Sequence, residues 1–377
     1  MSKRRGHGEG SVYQRKDGRW VASMSLEGRK RKDFYGETKK EVLDQLKTAL
    51  YQQQQGTLMT GPRQTVANFL THWLEETHKR NIRLHTYQNY QDLLRLHILP
   101  VIGHHQLQKL SPQHLETLYA KKLDEGLSEG VVQIMHAMLH KALDTAVLWN
   151  ILPFNVCDKV TAPRQKRHEM QTLTPEQAQQ FLKAAQEHRL KALFVLALAT
   201  GMRKGEIAGL KWQDINMTYG TLHVRRTISY VNKIGIIESE PKTEQGRRSI
   251  VLPAFAMEAL KEHRLLQLEE RLRAGELWQD HDLVFSTATG DYINPTSTLL
   301  KIFKTILKKA GLPDMRFHDL RHSAATLLLS MGVHAKVIQE LLGHSQISIT
   351  MNIYGHVLPS MQQDAMEKMN SLLQKKE

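Results

Sequence analysis

Cysteine is nearly missing from this chain. Cys157 is the single thiol among 377 residues, so no disulfide can form within the chain, and the composition fits a reducing cytoplasm. Long apolar runs are missing too, since nothing approaches the roughly 20 residues that a membrane-spanning helix needs. The opening "MSKRRGHGEG" is basic but lacks the apolar segment of a secretion signal. Acidic residues are scarce relative to basic ones: 38 Asp+Glu stand against 52 Lys+Arg, a net charge of +14. That balance favours nucleic acid or an anionic membrane surface as partner. There is no internal repeat and no low-complexity tract beyond a short glutamine run at 52–55. The length suggests two or three domains, and 41% hydrophobic residues suffices for real cores.

The chain divides into three segments, giving a multidomain α+β protein. Residues 1–60 read as a small three-stranded sheet plus a helix. "SVYQR" and "RWVASMSL" flank the turn "KDG", and Trp20, Ala22, Met24 and Leu26 alternate with Val21, Ser23 and Ser25. That period of two predicts a strand with one buried face. "RKRKDFYG" is the third strand, and Thr38 with Glu41 forms a capping box for a helix running to the glutamines. This segment holds 13 Lys+Arg and 7 Asp+Glu, hence +6 of the +14. Arg15, Lys16, Arg19, Arg29, Arg31 and Lys32 are its candidate DNA contacts, as in a sheet that reads a groove. A charged, solvated edge that resists aggregation explains the same pattern.

After a linker, residues 65–160 read as all-helical. "VANFLTHWLEETHK" puts Val66, Phe69, Leu70, Trp73 and Leu74 on one face, "SPQHLETLYAKKL" opens with a Ser cap and Pro, and "GVVQIMHAMLHKALDTAVLW" is a longer amphipathic stretch. A second basic linker, "APRQKRHEMQT", leads into a mostly helical third segment, 172–377, with a small β-sheet. There Thr174, Pro175 and Gln177 open a capped helix, and "LKALFVLALATG" is a buried helix stopped at Gly201. "TLHVRRTISY" and "RRSIVLP" read as strands joined by the turn "IESEPKTEQG", and helices are expected from there to the end.

Five stretches of the third segment offer polar side chains at element boundaries: "ATGMRKGEIAGL", "PKTEQGRR", "HDLRH", "LLGHS" and "NIYGH". Singly, each has an ordinary structural reading, as a cap, a solvated turn or a core tyrosine. His318 and His322 share the i, i+4 spacing of a metal pair, but Arg321 between them would repel a cation, and neither Glu nor Cys completes a ligand set. Together, two arginines, a lysine, two histidines and a tyrosine suit a phosphodiester. Arginine forks match non-bridging oxygens and stabilise the charge of a pentacoordinate transition state. A tyrosine oxygen can attack phosphorus, and a lysine or histidine can protonate the expelled sugar oxygen. With no carboxylate cluster to hold Mg²⁺, arginines would take a metal's part. The crowding of His318, Arg321 and His322 is then explained by a phosphate seated among cations.

The ordered set "GMRKGEI", "PKTEQGRRSIVLP", "HDLRHSAATLLLSMG" and "IQELLGHSQISITMNIYGH" resembles the tyrosine recombinase family of the phage-integrase type. The middle segment is similar to that family's helical core-DNA-binding domain, through "LHILPVIGHHQLQKLSPQHLE". The first 60 residues resemble its small arm-type DNA-binding domain, through "GHGEGSVYQRKDGRW". The resemblance implies roles. Arg203 and Arg321 would clamp the scissile phosphate, Lys242 would be the general acid, and His318 the base-like partner of the nucleophile. His344 would bind a phosphate oxygen, Tyr354 would form a 3′-phosphotyrosine link, and Glu206 would support the site from behind. His322 and His356 receive no role. Because the ester conserves the energy of the broken bond, neither ATP nor a metal cofactor is expected.

The resemblance further implies double-stranded attachment-site DNA as partner, a homotetramer on it, and room for an accessory directionality factor, in the nucleoid of a bacterial host and away from membranes. In the tail, Met361, Ala365, Met366, Met369, Leu372 and Leu373 make one apolar face. It would dock on a neighbouring protomer or pack on its own domain. The competing readings are a type IB topoisomerase that relaxes DNA and a DNA-binding regulator that cuts nothing.

Overall fold

The computed structural model describes residues 10–26, 31–54, 63–164, 170–241, 244–343 and 366–373 except 368 and 372. The chain forms two compact units, 1–167 and 168–377.

In the first unit, strands β1 (Ser11–Gln14), β2 (Trp20–Ser25) and β3 (Arg31–Gly36) form an antiparallel sheet in that order, followed by helix α1 (Lys39–Gln54). Ala22 and Met24 pack with Val42, Leu46 and Ala49 of α1 into a small core. The one-faced strand expected for β2 is corrected here, because Val21 and Ser23 are buried as well. A central strand has neighbours on both sides, and Val21 lies in register between Tyr13 and Tyr35 on the second face. The cap of α1 is half as expected. Thr38 Oγ1 accepts from the Glu41 N–H at 3.3 Å, but the Glu41 carboxylate reaches Glu37 N–H, one residue further back.

A separate, larger core in the same unit belongs to helices. They are α2 (Val66–His72), continued by a wider π-type turn over Trp73–His78, then α3 (Leu84–Leu93), α4 (Leu99–Ile102), α5 (Pro112–Asp124) and α6 (Glu129–Leu148). All five apolar positions expected on the first face, Val66 to Leu74, are at most 1% exposed. Trp73 Nε1 donates to Thr145 Oγ1 at 3.1 Å, tying the first helix to the last. Cys157 is buried in this core.

The second unit begins with α7 (Pro175–Ala185), whose capping box is reciprocal: Thr174 N–H donates to Gln177 Oε1 and Gln177 N–H to Thr174 Oγ1. Helix α8 (Lys191–Thr200) is buried and ends at Gly201, which is left-handed at φ 61°. A Cβ there would lie 2.3 Å from Leu342 Cδ2, so any other residue must displace that side chain and adopt a strained backbone. Short α9 (Lys204–Ala208) follows.

The sheet region departs from expectation. "TLHVRRTISY" is two strands, broken at Arg225-Arg226. β4 (Ile215–Asn216), β5 (Thr221–Val224) and β8 (Arg248–Val251) form one sheet, while β6 (Thr227–Val231) and β7 (Gly235–Ser239) form a separate hairpin. Residues expected in the joining turn, Ile237–Ser239, are part of β7 and pair with β6. The break has an electrostatic cause: Arg226 turns inward to bond the buried Asp214 carboxylate and reaches Glu238 at 3.1 Å. Helices α10 (Ala254–Ala274), α11 (Thr298–Lys309), α12 (Phe317–Ser330) and α13 (Ala335–Leu342) complete the unit, but 278–297 is irregular rather than helical. Residues 366–373 are helical where described.

Candidate active site

Three element ends meet around two arginines. Arg203 is the extended residue that opens α9, with its N–H donating to Glu206 Oε2 at 3.0 Å. Its Nη1 donates to Glu206 Oε1 at 2.7 Å and its Nη2 to the Gly343 carbonyl at 3.3 Å. Arg321 projects from α12, almost wholly buried at 2% exposure. Its Nη1 donates to the Gly201 carbonyl at 2.9 Å, while its buried Nη2 has no partner among the described residues. A buried donor left open is costly unless something comes to fill it. Burial first, then Arg203 and Arg248, push the Arg321 guanidinium down to about 9, so at pH 7 it keeps its proton.

Helix α12 is fixed at its start by Asp319, which is buried and accepts from Arg316 N–H at 2.9 Å and from the Arg316 guanidinium. That clamp sets the rotation of the turn carrying His318, Arg321 and His322. The two imidazoles meet edge to face, 5.0 Å between centroids. His318 keeps an open side to solvent. Even so, the protein mass around it, followed by His322, Arg321 and Arg203, pushes it down to about 4. Burial likewise lowers His322. This corrects the picture of a crowd of cations. In the DNA-free protein the guanidiniums of Arg321 and Arg203 stand beside two neutral rings, and repulsion from the imidazoles is avoided by deprotonation.

Glu206, 3% exposed, is a buried carboxylate that bonds Arg203 and Arg248. Burial alone would raise its pKa; Arg248 and Arg203 outweigh that and hold it below the usual carboxylate range. Arg248, which the sequence reading passed over, donates to Glu206 Oε2 at 3.0 Å and is itself 6% exposed. Its only local signal is the doubled arginine in "QGRRSIV", which surface charge explains equally well. Among the described residues no group of three or more His, Cys, Asp or Glu gathers to hold a metal ion.

The structure thus brings Arg203, Glu206, His318 and Arg321 together. Lys242, His344, Tyr354 and His356 lie outside the described residues, as does Arg29. Arg15, Lys16 and Arg19 cluster at the exposed β1–β2 turn, with Asp17 3.9 Å from Arg15 and 3.8 Å from Arg19. Arg31 and Lys32 part company: Lys32 shares the α1 side with Met24 and Phe34, and Arg31 points the other way with Asp33.

Comparison with known proteins agrees with this geometry. The phage integrase family profile matches residues 171–361, and the phage integrase N-terminal SAM-like domain matches 65–123. The chain belongs to the phage integrase family of tyrosine recombinases, enzymes that cut and rejoin DNA. It is 34% identical to a "Tyrosine recombinase XerC-like" protein of Caldanaerobacter subterraneus subsp. tengcongensis, over 91% of this chain and 92% of that one. Its fold is similar to that of the Tn1549 transposon integrase in complex with a circular intermediate DNA (TM-score 0.68, 20% identity, 81% of this chain and 99% of that one). It is similar too to a lambda integrase tetramer bound to a Holliday junction (TM-score 0.58, 18% identity, 93% and 96%).

Proposed function

We propose that this chain is the site-specific integrase of a phage or other mobile element, acting on duplex attachment sites in the nucleoid of a bacterial cell. The observation that carries the reading is the buried Nη2 of Arg321, a donor to which the described residues supply no acceptor, close enough to Arg203 for the two charges to oppose each other. A scissile phosphate fits there, its non-bridging oxygens taken by the two forks. The Tyr354 oxygen attacks phosphorus, and the bond from phosphorus to the 5′ oxygen breaks. Lys242 protonates that oxygen as it leaves. His318, neutral above about pH 4, is in the form that can accept the tyrosine proton. His344 adds a hydrogen bond to the phosphate. The 3′-phosphotyrosine ester is then resealed by a 5′ hydroxyl of another strand.

Three domains would divide the work. Residues 1–60 grip distant arm sites through Arg15, Lys16, Arg19, Arg29, Arg31 and Lys32, 65–160 clasp the core site, and 172–377 cut. Two separate hydrophobic cores before residue 165 support the first division. Strand exchange between two duplexes requires four protomers. On the described tail, Met366, Met369 and Leu373 are exposed at 59%, 49% and 72%. An apolar groove of about 300 Å³, lined by Leu182, Leu198, Phe255, Ala324, Leu328 and Met331, lies in the same unit. We infer that each tail fills the groove of a neighbour on DNA. An accessory directionality factor would act on this assembly.

The test is covalent capture. The wild-type chain incubated with genomic DNA of its source should leave detergent-resistant adducts, and Tyr354→Phe should leave none while binding the recovered sequence normally. An adduct formed by that variant would refute the nucleophile.

A further inference from the structure

Arg248 belongs to no part of the phosphate clamp as the family resemblance draws it, yet it bonds both Glu206, which holds Arg203, and the end of α13. It is the first residue of β8, and its nearly buried guanidinium donates in three directions. Nη2 reaches Glu206 Oε2 on α9 at 3.0 Å, Nε reaches the Leu341 carbonyl on α13 at 2.6 Å, and Nη1 reaches Gly246 O at 3.3 Å. Glu206 passes the constraint on. With one oxygen held by Arg248 and by Arg203 N–H, its other oxygen can face only Arg203 Nη1. Arg203 Nη2 then returns to Gly343 O, two residues beyond the carbonyl that Arg248 holds.

The contacts therefore close a ring: Arg248, Glu206, Arg203, the end of α13, and back to Arg248. Close packing reinforces it. Gly343 is left-handed at φ 66°, and a Cβ there would sit 2.5 Å from Gln245 O and 3.1 Å from Arg248 Cδ. No other side chain could give this set of contacts. Lysine has one nitrogen and cannot bond a carboxylate and a carbonyl on different elements in fixed directions, whereas the planar fork can.

We propose that Arg248 is a positioning residue of the recombinase site. It aims Arg203 by orienting Glu206, and it docks the end of α13 against the same arginine. The proposal rests on the reading of Arg203 as a phosphate clamp. It makes Arg248 act through Arg203, so the two residues must behave as one unit in kinetics.

The experiment is a double-mutant cycle in the full-length chain, read as single-turnover cleavage of a nicked duplex. The duplex carries the sequence recovered from wild-type adducts. Arg248→Gln and Arg248→Lys should each cut about 10- to 100-fold more slowly, on the order expected for losing a charge-assisted hydrogen bond to a buried carboxylate. Their affinity for the uncut duplex should stay within about threefold of wild type, because the lost contact sets the aim of Arg203 at the reacting phosphate rather than the grip on the duplex. In an Arg203→Ala background, the same Arg248 changes should cost less than about twofold more, since nothing is left for Arg248 to aim. Should Arg248→Gln fail to fold, the melting curve reports it, and Arg248→Lys, which keeps the charge, carries the cycle.

Wild-type cleavage rates in both single Arg248 variants would overturn the proposal while leaving the recombinase reading intact. Losses that simply multiply with that of Arg203→Ala would overturn it too, revealing a general structural role. Absence of any wild-type adduct would instead sink the clamp reading itself.

Discussion

Arg321 hands one guanidinium nitrogen to the carbonyl of Gly201, 120 residues earlier in the chain, at 2.9 Å. The bond ties the buried helix α8 to α12 and leaves the other terminal nitrogen buried and without an acceptor among the described residues. Anchor and tool are thus two ends of the same planar group.

Arg321→Lys should separate these two uses. A single ammonium has three donors but only one nitrogen, so it cannot stand at both ends of the fork, against Gly201 and against a phosphate oxygen. Cleavage should drop by about 10²- to 10³-fold, the usual cost of losing one preorganised donor to a transition-state oxygen. Single-turnover adduct formation measures it, and a loss below about tenfold would contradict the assignment.

Gly201→Ala should destabilise the second unit. The left-handed backbone costs an alanine about 1–2 kcal/mol, and the Leu342 methyl 2.3 Å away must also move. Because Leu342 closes α13, the substitution should lower both the melting temperature and cleavage. Thermal unfolding that matches wild type would contradict the packing described.

The His318 shift predicts a pH dependence with a definite sign. The unfolded chain binds this proton near pH 6.5 and the folded chain only near 4. Between those values the unfolded state holds more protons, so stability declines as pH falls from 6.5 to 4 and is fully present above 6.5. DNA-free protein carrying His318→Gln should therefore lose less melting temperature between pH 7.5 and 5 than wild type does. An equal loss would show that His318 titrates normally.

Chelation gives a fourth test. Adduct formation should survive excess EDTA if, as proposed, arginines carry the charge stabilisation. Activity lost to EDTA and restored by Mg²⁺ or Zn²⁺ would return the metal reading to consideration.

Deleting residues 1–60 should leave cutting at a core site unchanged and weaken binding to long DNA that includes distant sites. Integration at full efficiency by the shortened chain would give those residues another task.

Much of this fold can be read from local pattern. The apolar face from Val66 to Leu74, the Thr174–Gln177 cap and the Gly201 stop each follow from spacing within one turn or two. Arg203 and Arg321 could be picked out as candidates from the motifs they sit in, Arg203 just before α9 and Arg321 in the second turn of α12. What escaped depends on partners distant in sequence. Arg225-Arg226 breaks a plausible strand because Asp214 and Glu238 wait on either side. Arg248 looks like one more basic surface residue until Glu206 and Leu341 appear beside it. The neutrality of His318 is a property of its surroundings, and no periodicity encodes it.

Cys157 has a practical consequence. The chain's sole thiol lies in the helical core of the first unit, and burial raises its pKa to about 12. As little thiolate exists there at neutral pH, the native protein should be silent to maleimide reagents. One cysteine introduced on the surface would then take a fluorophore alone, and the proposed assembly on DNA could be followed by energy transfer without first removing Cys157.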